Sequence, residues 1–188
     1  MAESINTREF FRSIETLFKT EFQFLETTCG CRMRFIRRGI FWRWTAAYAC
    51  RKWSIRIVYD EEDIDVYGLI ALRKFGVAPV WLRGIPLESC IIALGGESEV
   101  DHYVSLLDRS LLTVKEVTIS LASMLRTNME RLRELSAENW DSVKVKASVI
   151  TRQRRADAEV IMRPMLEELW QRLQEDRAGA NSDKKSDS

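Results

Sequence analysis

Residues 32–72 read RMRFIRRGIFWRWTAAYACRKWSIRIVYDEEDIDVYGLIAL, and the period of their apolar positions decides the fold. Ile40, Trp42, Trp44, Ala46, Tyr48 and Cys50 alternate with Phe41, Arg43, Thr45, Ala47, Ala49 and Arg51. Successive side chains of a strand point to opposite faces, so the first set makes a mostly apolar face and the second a mixed one. Trp53, Ile55, Ile57 and Tyr59 repeat the pattern, as do Ile64, Val66, Gly68, Ile70 and Leu72. The run is rich in β-branched and aromatic residues, which suit half-buried strands. Arg38-Gly39 closes a first hairpin, and Asp60–Asp63 suits a four-residue loop. Links this short join antiparallel neighbours. The stretch is therefore expected to be a four-stranded antiparallel meander with its arginines outward.

Helical periodicity flanks it. Phe10, Phe11, Ile14, Leu17, Phe18, Phe22 and Leu25 recur at helical spacing between Asn6 and Thr27, and Gly30 is placed to end that helix. After the sheet, Pro79, Gly84 and Pro86 interrupt residues 75–86, and a short helix is expected over Leu87–Leu94, stopped by Gly95-Gly96. Ser98 opens a helix to about Ser110. Thr113 with Glu116 has capping-box spacing and opens a longer one toward Leu135. A last helix is expected over Asp141–Asp176, kinked or divided at Pro164. The fold class is α+β: an N-terminal helix packed on the meander, then a C-terminal helical segment. In domain terms, residues 1–96 form a helix-plus-sheet domain, 97–177 a helical region and 178–188 (AGANSDKKSDS with its first residue at 178) a disordered tail.

The chain has 188 residues, 46 % of them apolar, and a net charge of +1, so it carries no global pull toward nucleic acid or membrane. Charge is uneven locally. Between Thr27 and Tyr59 stand eight basic residues and no acid, whereas Asp60, Glu61, Glu62, Asp63 and Asp65 crowd into six positions. That opposition is either satisfied inside the sheet or forms two patches. No apolar run reaches spanning length and the N-terminus lacks a signal-peptide profile, which points to the cytoplasm and away from membranes. The four cysteines are then expected to be reduced thiols.

Chemistry is sparse. His102 is the single histidine, so zinc or iron sites that need two imidazoles are excluded, and it has no nucleophile at a telling spacing. Neither GxxxxGK[ST] nor GxGxxG occurs, and no cofactor is implied. The acidic turn from Asp60 to Asp65 has oxygen ligands for a hard cation but not the pattern of a calcium loop, and a solvated hairpin tip is the simpler account.

Phe22-Gln-Phe24-Leu25-Glu26, then Cys29-Gly30, then Ile55-Arg-Ile57-Val-Tyr59-Asp60 resemble a loose group of small bacterial proteins that pair an N-terminal helix with a strand meander ending in a "YD" turn. Some of these are similar to immunity proteins of bacterial toxin systems. The resemblance covers about the first seventy residues, and its motifs are structural. It implies a defence-associated binding role and carries over no functional residue.

Two functions follow as expectations. The first is a non-enzymatic module that binds another protein, immunity or defence associated. Arg34, Arg37, Arg38, Arg43 and Trp81 are its contact candidates, because arginine and tryptophan dominate interface hot spots. The second is a nucleic-acid-binding accessory protein that uses the arginine/aromatic stretch 32–56, with cations for phosphates and rings for bases. An enzyme with a carboxylate-bound metal at Asp60–Asp65 is a third. The last helix starts basic at Lys144, Lys146, Arg152, Arg154 and Arg155 and turns acidic at Glu167 and Glu168. Its apolar positions either pack on the preceding elements or dock in a partner or a second copy, as a homodimer.

Overall fold

A computed structural model describes residues 7–38, 43–60, 65–72, 84–98, 100 and 113–186, in part as backbone alone. Its core is the expected meander. Strands β1 (Arg32–Arg38), β2 (Arg43–Ala49), β3 (Trp53–Asp60) and β4 (Asp65–Leu72) run antiparallel in sequence order. A fifth strand, β5 (Ile85–Pro86), extends the sheet by pairing with Leu69 and Ile70. Proline at its end offers no donor for the ladder, which suits a short edge strand. Residues 39–42 and 61–64, and with them Ile40, Phe41 and Trp42, lie outside the described residues, as do 73–83 and 101–112.

The alternation read from the sequence sets the inner face. Ala46, Tyr48, Ile55, Ile57, Val66 and Ile70 are buried in one cluster with residues of the surrounding helices. β1 keeps step only through a bulge. Met33 stands opposite Tyr48, Phe35 opposite Ala47 and Ile36 opposite Ala46, so Arg34 is the additional residue. That shift lets both Met33 and Ile36 pack against the core.

The N-terminal helix is two helices, α1 (Thr7–Glu21) and α2 (Gln23–Thr27). The break falls at Phe22, which stays fully buried while the chain turns. Gly30, with a φ of 64°, then reverses the chain into β1, and Cys31 N donates to Leu25 O at 2.9 Å. Glu26 accepts a 2.9 Å bond from Met33 N on β1.

Helix α3 (Leu87–Ala93) crosses β4 at Gly68. A Cβ at Gly68 would lie 2.8 Å from Leu87 Cδ2, so only glycine admits that approach. Helix α4 (Val114–Thr127) opens with the expected capping box: Glu116 N donates to Thr113 Oγ1 at 3.3 Å and Thr113 N to Glu116 Oε2 at 2.7 Å. Asn128 separates it from α5 (Met129–Arg133). The Asn128 amide is fully buried, donates to Met124 O at 2.9 Å and accepts from Arg131 Nη1 at 2.7 Å. A polar group so placed must be bonded, and it fixes the break.

Helix α6 (Trp140–Ser186) has 47 residues and contains Pro164. It runs on through the stretch whose composition suggests a tail. The chain divides into two units, residues 1–148 and 149–188. In the first, Trp140, Val143 and Ala147 of α6 join the core cluster. The second consists of the remainder of α6.

One expectation is corrected. The four cysteines are not all thiols: Cys31 and Cys50 form a disulfide, leaving Cys29 and Cys90 free. The reason is register. Arg32 pairs with Ala49 on the β1–β2 ladder, so the next position on each strand brings the two cysteines face to face. The mixed outer face of the sheet is partly covered. Ala47, Val58 and Asp60 belong to it and are buried. Register sets small Ala47 between Phe35 and Arg56, and Val58 between Thr45 and Tyr67.

Candidate functional site

The predicted contact arginines fall at two ends of the first hairpin. Arg34 is exposed at the bulge, near the disulfide, and Arg32, Arg51 and Lys52 are exposed at the same end. Arg37 and Arg38 stand at the far end, opposite Thr45 and Trp44 in register. Trp81 lies outside the described residues, as does His102.

Arg43, another contact candidate, has a partner within the sheet. Its Nε donates to Asp60 Oδ2 at 2.6 Å. Asp60 is 2 % exposed while the Arg43 side chain remains 48 % exposed. Asp60 is the last residue of β3 and pairs with Arg43 on one side and Asp65 on the other. Antiparallel pairing thus lays part of the acidic run beside the end of the basic run. The local charge opposition is, for this pair, satisfied within the sheet. The expected solvated tip does not include Asp60.

Tyr67 and Arg56 extend this cluster across the outer face. Burial raises the Tyr67 hydroxyl above its ordinary pKa, and Arg43, Asp60, Asp65 and Arg56 all act on it electrostatically. Burial likewise lowers the Arg56 guanidinium, with Tyr67 opposing. Mixed signs on a half-covered face lock strand register more readily than they attract one kind of ligand. Among the described residues no cluster of three or more His, Cys, Asp or Glu is arranged to hold a metal.

Two features went unread in the sequence. The first is a groove of about 840 Å³ between α1 and the start of α4, walled by Phe10, Ile14, Leu17 and Val114, with Glu21 and Lys115 also lining it. It depends on how two distant helices meet, which no local pattern reports. The second is the length of α6 beyond Ser148. In the unit 149–188, Val160 is 72 % and Trp170 60 % exposed. Among the described side chains of this unit, Arg155 pairs with Glu159 at 3.6 Å and Arg172 with Glu168 at 2.6 Å. Such pairs steady an exposed helix by a few tenths of a kcal/mol each, about 0.3–0.5. No described helix is long and apolar enough to cross a membrane.

No family model matches this chain, and neither a curated protein nor a solved structure is significantly similar to it.

Proposed function

We propose that the chain is a non-enzymatic binding protein that engages another protein through the part of α6 beyond Ser148. The observation that carries this is the exposure of Trp170 and Val160 on a unit made of one helix. Tryptophan on an exposed helix is costly in water and valuable in an interface. Arg34, exposed on edge strand β1, serves the same role on the first unit, whereas Arg43 is spent on Asp60. Neutralising a toxin by covering it is one form of this function. The nucleic-acid alternative is weakened, because one cation of the 32–56 stretch is neutralised internally and the chain as a whole is only +1. A cytoplasmic setting and the Cys31–Cys50 bond pull in opposite directions, since a reducing cytosol keeps thiols free. We favour a compartment in which the bond persists.

The test compares full-length protein with Trp170→Ala and with residues 1–148 as baits in extracts of source cells. A partner held by the full chain and lost with the arm supports the proposal. A partner held equally by residues 1–148 removes it. Steep loss of nucleic-acid binding with rising salt would restore the alternative.

A further inference from the structure

We infer that Cys29 is the port through which the Cys31–Cys50 bond is opened and closed in the folded protein. Thiol–disulfide exchange requires access to a sulfur. Cys31 is 3 % and Cys50 4 % exposed, so a thiol outside the chain has little direct access to their bond. Cys29 is a free thiol and part-exposed.

The approach of Cys29 to the bond is built into the chain. It stands two positions before Cys31, and residues so placed are at most about 7 Å apart at Cα. Gly30 between them turns the backbone at a φ of 64°. A turn shortens that span toward the roughly 4.4–6.8 Å at which a disulfide closes. Cys31 Sγ lies 3.9 Å from the Cys29 carbonyl oxygen. Cys29 also packs against the core cluster that holds Cys31 and Cys50.

The exchange runs in three steps. The Cys29 thiolate attacks Cys31 Sγ: a Cys29–Cys31 bond forms, the Cys31–Cys50 bond breaks, and Cys50 leaves as a thiolate that takes up a proton. A low-molecular-weight thiol then attacks the sulfur of Cys29, making a mixed disulfide there and releasing Cys31 as a thiol. A second molecule of the small thiol attacks the first, the two leave joined as their disulfide, and Cys29 is a thiol again. Two electrons and two protons have passed from the small thiol to Cys31 and Cys50. Run backward from the small disulfide, the same steps set the bond. Burial raises the Cys29 thiol above its ordinary pKa, with Arg133 of α5 lowering it and Glu130 raising it. Its thiolate is therefore scarce at neutral pH, and the bond persists against traces of thiol. The port governs the border of the first hairpin, because the bond ties the residue before β1 to the residue after β2.

Reduced glutathione is the probe. Full-length oxidised protein is held with it under native conditions, quenched in acid, alkylated and mapped by peptide mass. Cys29→Ser should slow opening of the bond by roughly tenfold or more while leaving the melting temperature without thiol unchanged. Cys90→Ser should open at the wild-type rate. The transient glutathione adduct of wild type should map to Cys29. A Cys29→Ser chain that opens as fast as wild type overturns the inference, as does an adduct found first on Cys31 or Cys50. If Cys29→Ser does not fold, the adduct map of wild type decides alone.

Discussion

Replacing both Cys31 and Cys50 with alanine should cost the protein about 3 kcal/mol of stability. The bond closes a loop with a sequence separation of 19. Chain-entropy bookkeeping for a loop of that length gives about 3 kcal/mol at room temperature. Two smaller effects pull against each other. Both sulfurs are buried, so alanine leaves small voids that add to the cost. A denatured chain that keeps a trace of the β1–β2 hairpin would already be partly closed, which subtracts from it. Against a usual total of about 5–15 kcal/mol the loss is large. For a cooperative unit of this size it amounts to a fall in Tm of about 6–12 °C. Urea melts should show a lower midpoint with a somewhat larger slope, because the uncrosslinked chain exposes more surface. A reducing agent should lower the wild-type melt to the same place and leave the alanine variant unmoved. Thiol counting should find two free thiols in native protein after denaturation and four after reduction, as the cysteine inventory requires. Four thiols without reduction, or a melt indifferent to reductant, would refute the pairing.

Other consequences are as concrete. Arg43→Ala should cost about 3 kcal/mol because it leaves the buried Asp60 carboxylate without its guanidinium, whereas Asp60→Asn should cost nearer 1–2 kcal/mol, since the half-exposed Arg43 can turn to water; equal costs in urea melts would contradict the asymmetry. Gly68→Ala should cost about 1–3 kcal/mol through its clash with Leu87, and Leu87→Ala in the same chain should relieve only part of it, because the Leu87 Cβ, 2.9 Å from the added methyl, remains. Burial raises the Tyr48 hydroxyl well above its ordinary value of 10.0, with the Glu26 charge adding to it. The neutral form is therefore favoured in the fold, so this contribution is full below about pH 10 and is lost as the unfolded chain ionises above it. Tyr48→Phe should flatten the alkaline fall in Tm, and an unchanged slope would count against it. Burial pushes the Cys90 thiol up to about 12, so alkylation of folded protein at neutral pH should leave Cys90 unmodified while unfolded protein reacts at once.

The sheet was legible because its inner face is covered along its length. Trp44 to Cys50, Trp53 to Tyr59 and Val66 to Leu72 keep a strict period of two, and the helices that cover them leave no reason to break it. What escaped notice depends on pairing. In RMRFIRR the adjacent Phe35-Ile36 break the alternation, but only the pairing with Tyr48 and Ala47 shows that the additional residue is Arg34. Phe18, Phe22 and Leu25 continue one helical stripe although the backbone turns at Phe22, because the side chain stays in the core on either side of the break. Asp60 sits first in a run of four acids and reads as a turn. Only the register that sets it against Arg43 shows it to be strand. Cys31 and Cys50 likewise become neighbours only once the ladder between Arg32 and Ala49 is known. Residue type likewise marks an arginine as able to bind, and only the strand opposite shows that Arg43 pairs with Asp60.

The bulge in β1 has a consequence for how this chain tolerates change. Rims of sheets ordinarily absorb insertions and deletions without harm. Here the surplus residue at Arg34 is taken up by the bulge, with Met33 and Ile36 on the same side of the sheet. Losing that one codon would close the bulge and leave Phe35 opposite Ala47 and Ile36 opposite Ala46 in an unbroken ladder. Length at this border is therefore held less strictly than the identity of Met33 and Ile36, and a version lacking Arg34 should still fold.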